Sequence, residues 1–407
     1  MDILCLMGLF PQVYEKEIVE NSISGVQNAA NKLQWAIVKG LDQINDKPVT
    51  ICNSLYIGAY PKRYRKMRIP TFQFSHTRGA RDINIGFTNL PGVKILSRYS
   101  GIWRYVKKWA ETDPEKEKCL IAYAMTLPFA IILKNVRKRY KNIKVCLVVP
   151  DLPEYMNVAA MQNDFRYRVM KKVEIAYLRH CLAEVGYYVF LTEEMKNWFR
   201  HEINYTVVEG ICLDQAETSA ERNQVFHDGK KHIIYTGGIK KEYGVLDLAA
   251  AFMKVKDNDW VLDLFGDGIH LNELREMAQL DQRIVCHGAV PNAVAVQAQR
   301  EAALLVNPRP NYEFAKYSFP SKILEYMMSG NPMIAYKLAG VPDEYDSYYY
   351  HIDDGGKCLE EVMRETMGLE DDERRAMGER ARDFVLKNKN PRVQCEKIVG
   401  MLTKKDA

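Results

Sequence analysis

Short apolar runs rich in β-branched residues alternate along this chain with longer segments of helical period, and the alternation starts twice. The first series is DILCLMGLF, then the helical stretch 26–41, then IKVCLVVP and YYVFLT; the second is HIIYTG, WVLDLFG, RIVCHG, ALLVNP and PMIAY. Strands that alternate with helices predict parallel sheets joined by right-handed crossovers, an α/β architecture. A chain of 407 residues exceeds one ordinary core, so two domains of roughly 200 residues each are expected. The segment 217–231, ETSAERNQVFHDGKK, is polar and without periodicity, which places the boundary there or slightly before. Domains at 1–215 and 216–390 follow, with a separate terminal helix at 391–407. Pro391 cannot continue the helix before it. Cys395, Ile398, Val399 and Leu402 recur at helical spacing, so the last helix has an apolar face that must pack on something.

Composition removes several classes. No apolar run reaches the roughly 20 residues of a spanning helix, and the longest, from Cys119 to Leu133, is interrupted by Thr126 and Pro128. Met1 leads almost at once into Ile3 to Leu9 with no basic region before it, which is not a signal peptide pattern; a cytoplasmic protein is expected. The nine cysteines include no C-x-x-C pair, so buried, reduced thiols are expected. Net charge is only +5, yet between Tyr60 and Ala110 stand twelve basic residues and one acid, Asp82. Basic residues interleaved with Tyr, Trp and Met, as in PKRYRKMRIP and RYVKKW, suit an anionic membrane surface, a phosphorylated ligand or a merely solvated face. No nucleic-acid motif accompanies the charge, so nucleic acid is not an expected partner.

Four strand-to-helix passages follow one another in the second half. In IIYTGGIKKEYGVLDLAAAF, Gly237 and Gly238 allow a tight turn whose N–H groups can meet a phosphate. VLDLFGDGIHLNELREMA turns at Gly266, and in RIVCHGAV the turn after Gly288 brings Ala289 and Val290 to where backbone can meet a flat ligand. A plain strand-to-helix turn would use the same glycines. In YSFPSKILEYMMSGNPMIA, Pro320 suits a helix start, Ser318 or Ser321 can cap it, and the free N–H groups and dipole face the preceding loop. Lys322 adds a full charge there, and Glu325 one turn further in can accept hydrogen bonds from vicinal hydroxyls such as those of a ribose. Together these features describe a nucleotide diphosphate; the plain alternative is a capped helix with a solvent-facing lysine.

The ordered set of G-G turn, G-D-G turn, HGAV, NPRP and SFPSKILEYMMSGNPMIA resembles the donor-nucleotide domain of retaining glycosyltransferases of family four. The resemblance is clear from Ile233 to about Leu402 and loose before that. It implies the GT-B fold: two Rossmann-like domains, acceptor-binding then donor-binding, with parallel sheets facing a central cleft and a last helix that crosses back to the first domain. The family closes two glutamates seven residues apart over the donor. Glu325 matches the second, Tyr317 stands at the first, and Phe319 matches the aromatic between them; Glu313 lies four residues upstream of Tyr317. The family's diphosphate-binding Arg and Lys fall on Gly238 and Tyr243, leaving Lys240, Lys241, Arg309 and Lys322 as basic candidates. Ser24 and Gly25, in ENSISGVQNAANKLQ, match the first loop near donor and acceptor. Asp151, in VVPDLPEYMN, matches loosely a polar group near the sugar, and Glu209 and Gly210 match a later strand end.

What the resemblance implies is retaining sugar transfer from a nucleotide-diphosphate sugar, UDP- or GDP-linked, to an acceptor hydroxyl. The leaving phosphate takes the acceptor's proton, with Asp151, Lys322 and Arg309 as catalytic candidates. No cofactor or metal is implied, and Asp257-Asn258-Asp259, which spells a metal-binding D-x-D, lies away from the donor loops. The basic window 60–110 falls in the acceptor half, which suggests a lipid-linked sugar acceptor at the inner face of a membrane, in polysaccharide assembly. The departures at Tyr317, Gly238 and Tyr243 leave two other readings: a non-catalytic nucleotide-binding partner protein, or a nucleotide-sugar epimerase or hydrolase on the same fold.

Overall fold

The computed structural model describes residues 1–23, 26–155, 165–213 and 225–404. The chain divides into two compact units, Met1–Ile211 with Pro391–Ala407, and Cys212–Asn390.

Unit 1 is built on strands β1 (Asp2–Met7), β2 (Thr50–Asn53), β3 (Arg68–Ile69), β4 (Phe72–Phe74), β5 (Asp82–Asn84), β6 (Phe87–Thr88), β7 (Lys118–Tyr123), β8 (Ile143–Val149), β9 (Tyr187–Phe190) and β10 (Asn204–Val207). Eight of them form one sheet in the order β10-β9-β8-β7-β1-β2-β5-β4. The sheet is parallel except at its β4 edge, and β3 and β6 form a separate antiparallel pair. Both exceptions fall between residues 68 and 88, among strands of two or three residues, and the connection 75–81 from β4 to β5 is too short for a parallel crossover. β1 and β7 are continuous apolar runs because helices cover both sheet faces.

Helix Asn28–Ile44 buries Ile37, Val38 and Leu41. It meets the terminal helix Pro391–Thr403, whose Cys395, Ile398 and Leu402 are fully buried in the same core. Each such side chain contributes roughly 1.5–3 kcal/mol of transfer free energy. Gly40 is required at the crossing, because a Cβ there would collide with the Pro391 carbonyl.

Unit 2 has six parallel strands, β11 (Lys231–Thr236), β12 (Trp260–Phe265), β13 (Ile284–Gly288), β14 (Leu304–Asn307), β15 (Met333–Tyr336) and β16 (Tyr350–Ile352), in the order β13-β12-β11-β14-β15-β16. β11 and β14 are adjacent, so the chain reverses its direction of travel across the sheet between them. Ligands of open α/β sheets bind at the carboxyl ends of strands beside such a reversal. All nine cysteines are free thiols; Cys286 is partly exposed and Cys358 exposed, the others buried.

Candidate active site

At the carboxyl edge of unit 2 the glycine turns are stitched to one another. The Gly237 N–H donates to the Phe265 carbonyl, and the Gly266 N–H to the Gly288 carbonyl, each at 2.8 Å. Gly237 and Gly266 have φ of 145° and 146°, and a Cβ on Gly266 would strike the Gly237 carbonyl. The glycines therefore serve backbone approach between turns first. Ile239 donates to the Asp267 carbonyl at 2.9 Å, which further reduces the number of N–H groups the first turn could offer a phosphate.

Helix Ser321–Ser329 points its N-terminus at this edge. Its N-cap is Pro320, and no side chain caps it; Ser318 and Ser321 do not make the expected cap. Proline has no hydroxyl; the Ile323 N–H donates to the Pro320 carbonyl at 3.0 Å, which leaves the Ser321 and Lys322 N–H groups to solvent or a ligand. The helix is locked in place from behind. Tyr326 Oη accepts from the Thr236 N–H at 2.9 Å, and Gln299 Nε2 donates to Thr236 Oγ1 at 2.8 Å. Tyr326 and Gln299 went unnoticed in the sequence because their partner lies in β11, far away along the chain.

Lys322 lies against the first turn: a Cβ on Gly237 would collide with its Nζ, which stands 5.4 Å from the centroid of Tyr235. Burial pushes its pKa down, with Glu325 opposing that shift. Arg309 sits between Tyr243 and Phe314, at 5.9 and 5.2 Å from their ring centroids. Its Nε is buried without a hydrogen-bond partner among the described residues, and burial lowers its pKa as well. Neither cation meets a carboxylate within ion-pair distance among the described residues. Two crowded cations beside an uncapped helix mouth have the chemistry to hold an anion of more than one charge.

Residues 230–362 match the family model described as glycosyl transferases group 1. The chain is a glycosyltransferase. Its matched segment lies wholly within unit 2 and contains every feature above. No curated protein sequence matches the chain. Among solved structures it is similar to HepE of Anabaena, in complex with UDP, at 13% identity over 100% of both chains with a TM-score of 0.59. It is also similar to the sucrose-phosphate synthase of Thermosynechococcus elongatus, at 12% identity, 99% of this chain and 98% of that one, TM-score 0.65. WaaG, a glycosyltransferase involved in lipopolysaccharide biosynthesis, matches at 14% identity over 100% of both chains, TM-score 0.59. The fold is GT-B, with two parallel-sheet units.

The remaining expected residues of the glycosyltransferase fall in different settings. Lys240 and Lys241 are exposed, and Lys240 Nζ stands 5.9 Å from the Tyr243 centroid. Ala289 is exposed and Val290 half-buried just after β13. Gly238 lends its carbonyl to Tyr235 Oη at 2.9 Å. Tyr317 ends a short 3-10 turn under the Lys316 ammonium, 5.2 Å from its ring centroid. Phe319 turns its ring inward, 5.6 Å from that of Tyr345, so only its backbone is available to the helix mouth. Glu313 is exposed and pairs with Lys316 at 3.7 Å. Asp151 is exposed as a residue at the carboxyl edge of unit 1, while desolvation of its carboxyl by the surrounding protein raises its pKa to about 6. Ser24 and Gly25 lie outside the described residues. Asp257-Asn258-Asp259 forms a local turn in which the Asp259 N–H donates to Asp257 Oδ1 at 3.0 Å.

Proposed function

We propose that this glycosyltransferase moves a sugar from a nucleotide-diphosphate sugar, with retention of configuration, to a hydroxyl of a lipid-linked or polysaccharide acceptor. The observation that carries the reading is the pair Lys322 and Arg309, neither within ion-pair distance of a carboxylate among the described residues, beside the uncapped mouth of helix Ser321–Ser329. In the reaction the bond from the anomeric carbon to the diphosphate oxygen breaks, and its electron pair leaves with the nucleotide. The bond to the acceptor oxygen forms on the same face, and the acceptor's proton passes to the departing phosphate. Charge develops on the diphosphate, so Lys322, Arg309 and the first-turn N–H groups do most for the rate; one such donor is typically worth about 10²–10³ in turnover. Glu325, one turn inside the helix, is assigned to the ribose hydroxyls, and Asp151 to the sugar or acceptor side. No metal is required by this scheme.

HepE bound to UDP favours a uridine donor, and WaaG favours a cell-envelope acceptor. A peripheral position on an anionic membrane is supported by exposed Lys62 and Arg63 and by exposed Val93, Ile95 and Leu96 within the same basic window. No helix among the described residues is long and apolar enough to cross a membrane.

The test is calorimetry of UDP, GDP and ADP, free and as sugar donors, with a chelator present, followed by assignment of the product's anomeric configuration by NMR. One diphosphate should bind saturably, and Glu325→Ala should weaken it by roughly 1.5–3 kcal/mol. Unchanged affinity removes Glu325 from the site, and an inverted product refutes retention. Nucleotide binding without turnover on any acceptor would favour the non-catalytic reading that Tyr317, Gly238 and Tyr243 raise.

A further inference from the structure

Unit 1 carries a second pair of cations with no ion-paired carboxylate among the described residues, at the carboxyl edge of its own sheet. Arg98 is 6% exposed on helix Val93–Glu111. It lies 5.4–5.5 Å from the ring centroids of Tyr56, Phe87 and Phe129. Its Nε and Nη2 donate to Ser54 Oγ and to the Ser54 carbonyl at 3.0 and 2.8 Å, and Ser54 directly follows β2. One helical turn before it, on the same face, Lys94 Nζ donates to the Ile57 carbonyl at 2.6 Å and stands 5.6 Å from the Phe87 centroid.

Neither cation meets a carboxylate within ion-pair distance among the described residues. Burial first, and Arg98 second, bring the Lys94 pKa down to about 7. Two like charges packed together away from water are costly unless a counter-charge satisfies them. Beside them the buried Tyr56 Oη and Thr126 Oγ1 lie close enough to each other to interact, and neither meets a further polar partner among the described residues. These are hydroxyls that could donate to an oxygen-rich guest.

We infer that Lys94 and Arg98 bind an oxyanion, carboxylate or phosphate, carried by the acceptor, with the Tyr56 and Thr126 hydroxyls completing the site. The acceptor is then an acidic or phosphorylated glycan. This assignment rests on the proposed transferase reaction, in which unit 1 receives the acceptor.

The experiment is calorimetry of the full chain with methyl glucuronide, glucose 6-phosphate and methyl glucoside, run beside UDP on the same samples. At least one anionic probe should bind saturably and the neutral glycoside should not; whichever anionic probe binds names the group. Lys94→Gln should weaken that binding at least tenfold, Lys94→Arg should preserve it, and Lys322→Ala should leave it unchanged. Arg98→Gln should abolish it, and Lys94→Gln decides the matter if Arg98→Gln does not fold. Equal responses to charged and neutral probes, full binding by folded Lys94→Gln, or loss in Lys322→Ala each overturn the inference. UDP binding without anionic-probe binding overturns it while the donor reading stands. Anionic-probe binding without nucleotide binding supports the anion site and removes the donor reading.

Discussion

The amino and carboxyl edges of the two sheets treat buried charge in opposite ways. At the amino edge of unit 1, Lys118 opens β7 and donates to the carbonyls of Trp109, Ala110 and Thr112 at the end of helix Val93–Glu111. His76 lies between Asp42 and Asp82, with ring nitrogens 2.8 and 2.6 Å from their carboxylates. Near the start of β12 in unit 2, Arg374 stacks 5.1 Å from the Trp260 centroid. It donates to the carbonyls of Thr366, Met367 and Leu369 and pairs with Asp371. Every one of these charges is answered from within the unit. At the carboxyl edges the answer is thinner: among the described residues none of Lys322, Arg309, Lys94 and Arg98 meets a carboxylate within ion-pair distance, and Lys94 and Arg98 donate only to the Ile57 carbonyl and the Ser54 carbonyl and hydroxyl. Stability arguments account for the first group; for the second, the proposed guests supply the missing counter-charge.

Four substitutions or titrations bear on that contrast. Arg374→Ala should cost about 3–5 kcal/mol of unfolding free energy, because it strands helix-end carbonyls and an acid, while nucleotide affinity in the folded fraction stays unchanged. A loss of affinity matching the loss of stability would erase the distinction between edges. Lys322→Ala should lower turnover by about 10²–10³ with Tm unchanged or raised, since a crowded, unpaired cation is removed; parallel losses in both would make Lys322 structural.

For His76, burial disfavours the charge, but the hydrogen bonds to Asp42 and Asp82 outweigh it and raise the pKa from 6.5 to about 9. An unfolded histidine releases its proton near 6.5, so the stabilisation, on the order of 2–3 kcal/mol, is fully present below pH 6.5. It is lost as pH rises through 9. Urea titrations at pH 6 and 9.5 should show the loss in the wild type and not in His76→Gln; parallel curves would remove the lock. The smallest effect concerns the exposed basic face: neutralising Lys62, Arg63, Arg65 and Lys66 together should reduce binding to anionic vesicles in a salt-sensitive way. Retention at low salt would leave that face merely solvated. Lys66 pairs with Glu17 at 2.5 Å and Arg65 donates to the Glu20 carbonyl, so Lys62 and Arg63 should contribute most.

Much of unit 2 could be read in the sequence, because its strands, glycine turns and helix starts follow one another locally. The helix at Ser321 was legible from Pro320, Lys322 and the apolar spacing behind them. Its cap was misread, because whether a serine hydroxyl reaches the first N–H groups depends on the loop's path rather than on the presence of serine. The basic window was legible as charge only. Its single acid, Asp82, is not part of a surface at all; it is buried on His76 and the Ile51 N–H. Two of its twelve basic residues turn inward as Lys94 and Arg98, and the rings that receive Arg98 come from positions 56, 87 and 129. No local pattern records such a meeting.

The terminal helix has a consequence for how the chain is made. Unit 2 is inserted within unit 1, because Pro391–Thr403 completes the core begun by β1 and by helix Asn28–Ile44. During synthesis the first unit to start is therefore the last to finish: its sheet waits, with the Cys5, Ile37 and Leu41 core partly open, while residues 212–390 emerge and fold. Shortening the chain before Pro391 should leave unit 2 intact and expose the older unit to proteases, which makes the final helix the closing step in the birth of the first unit.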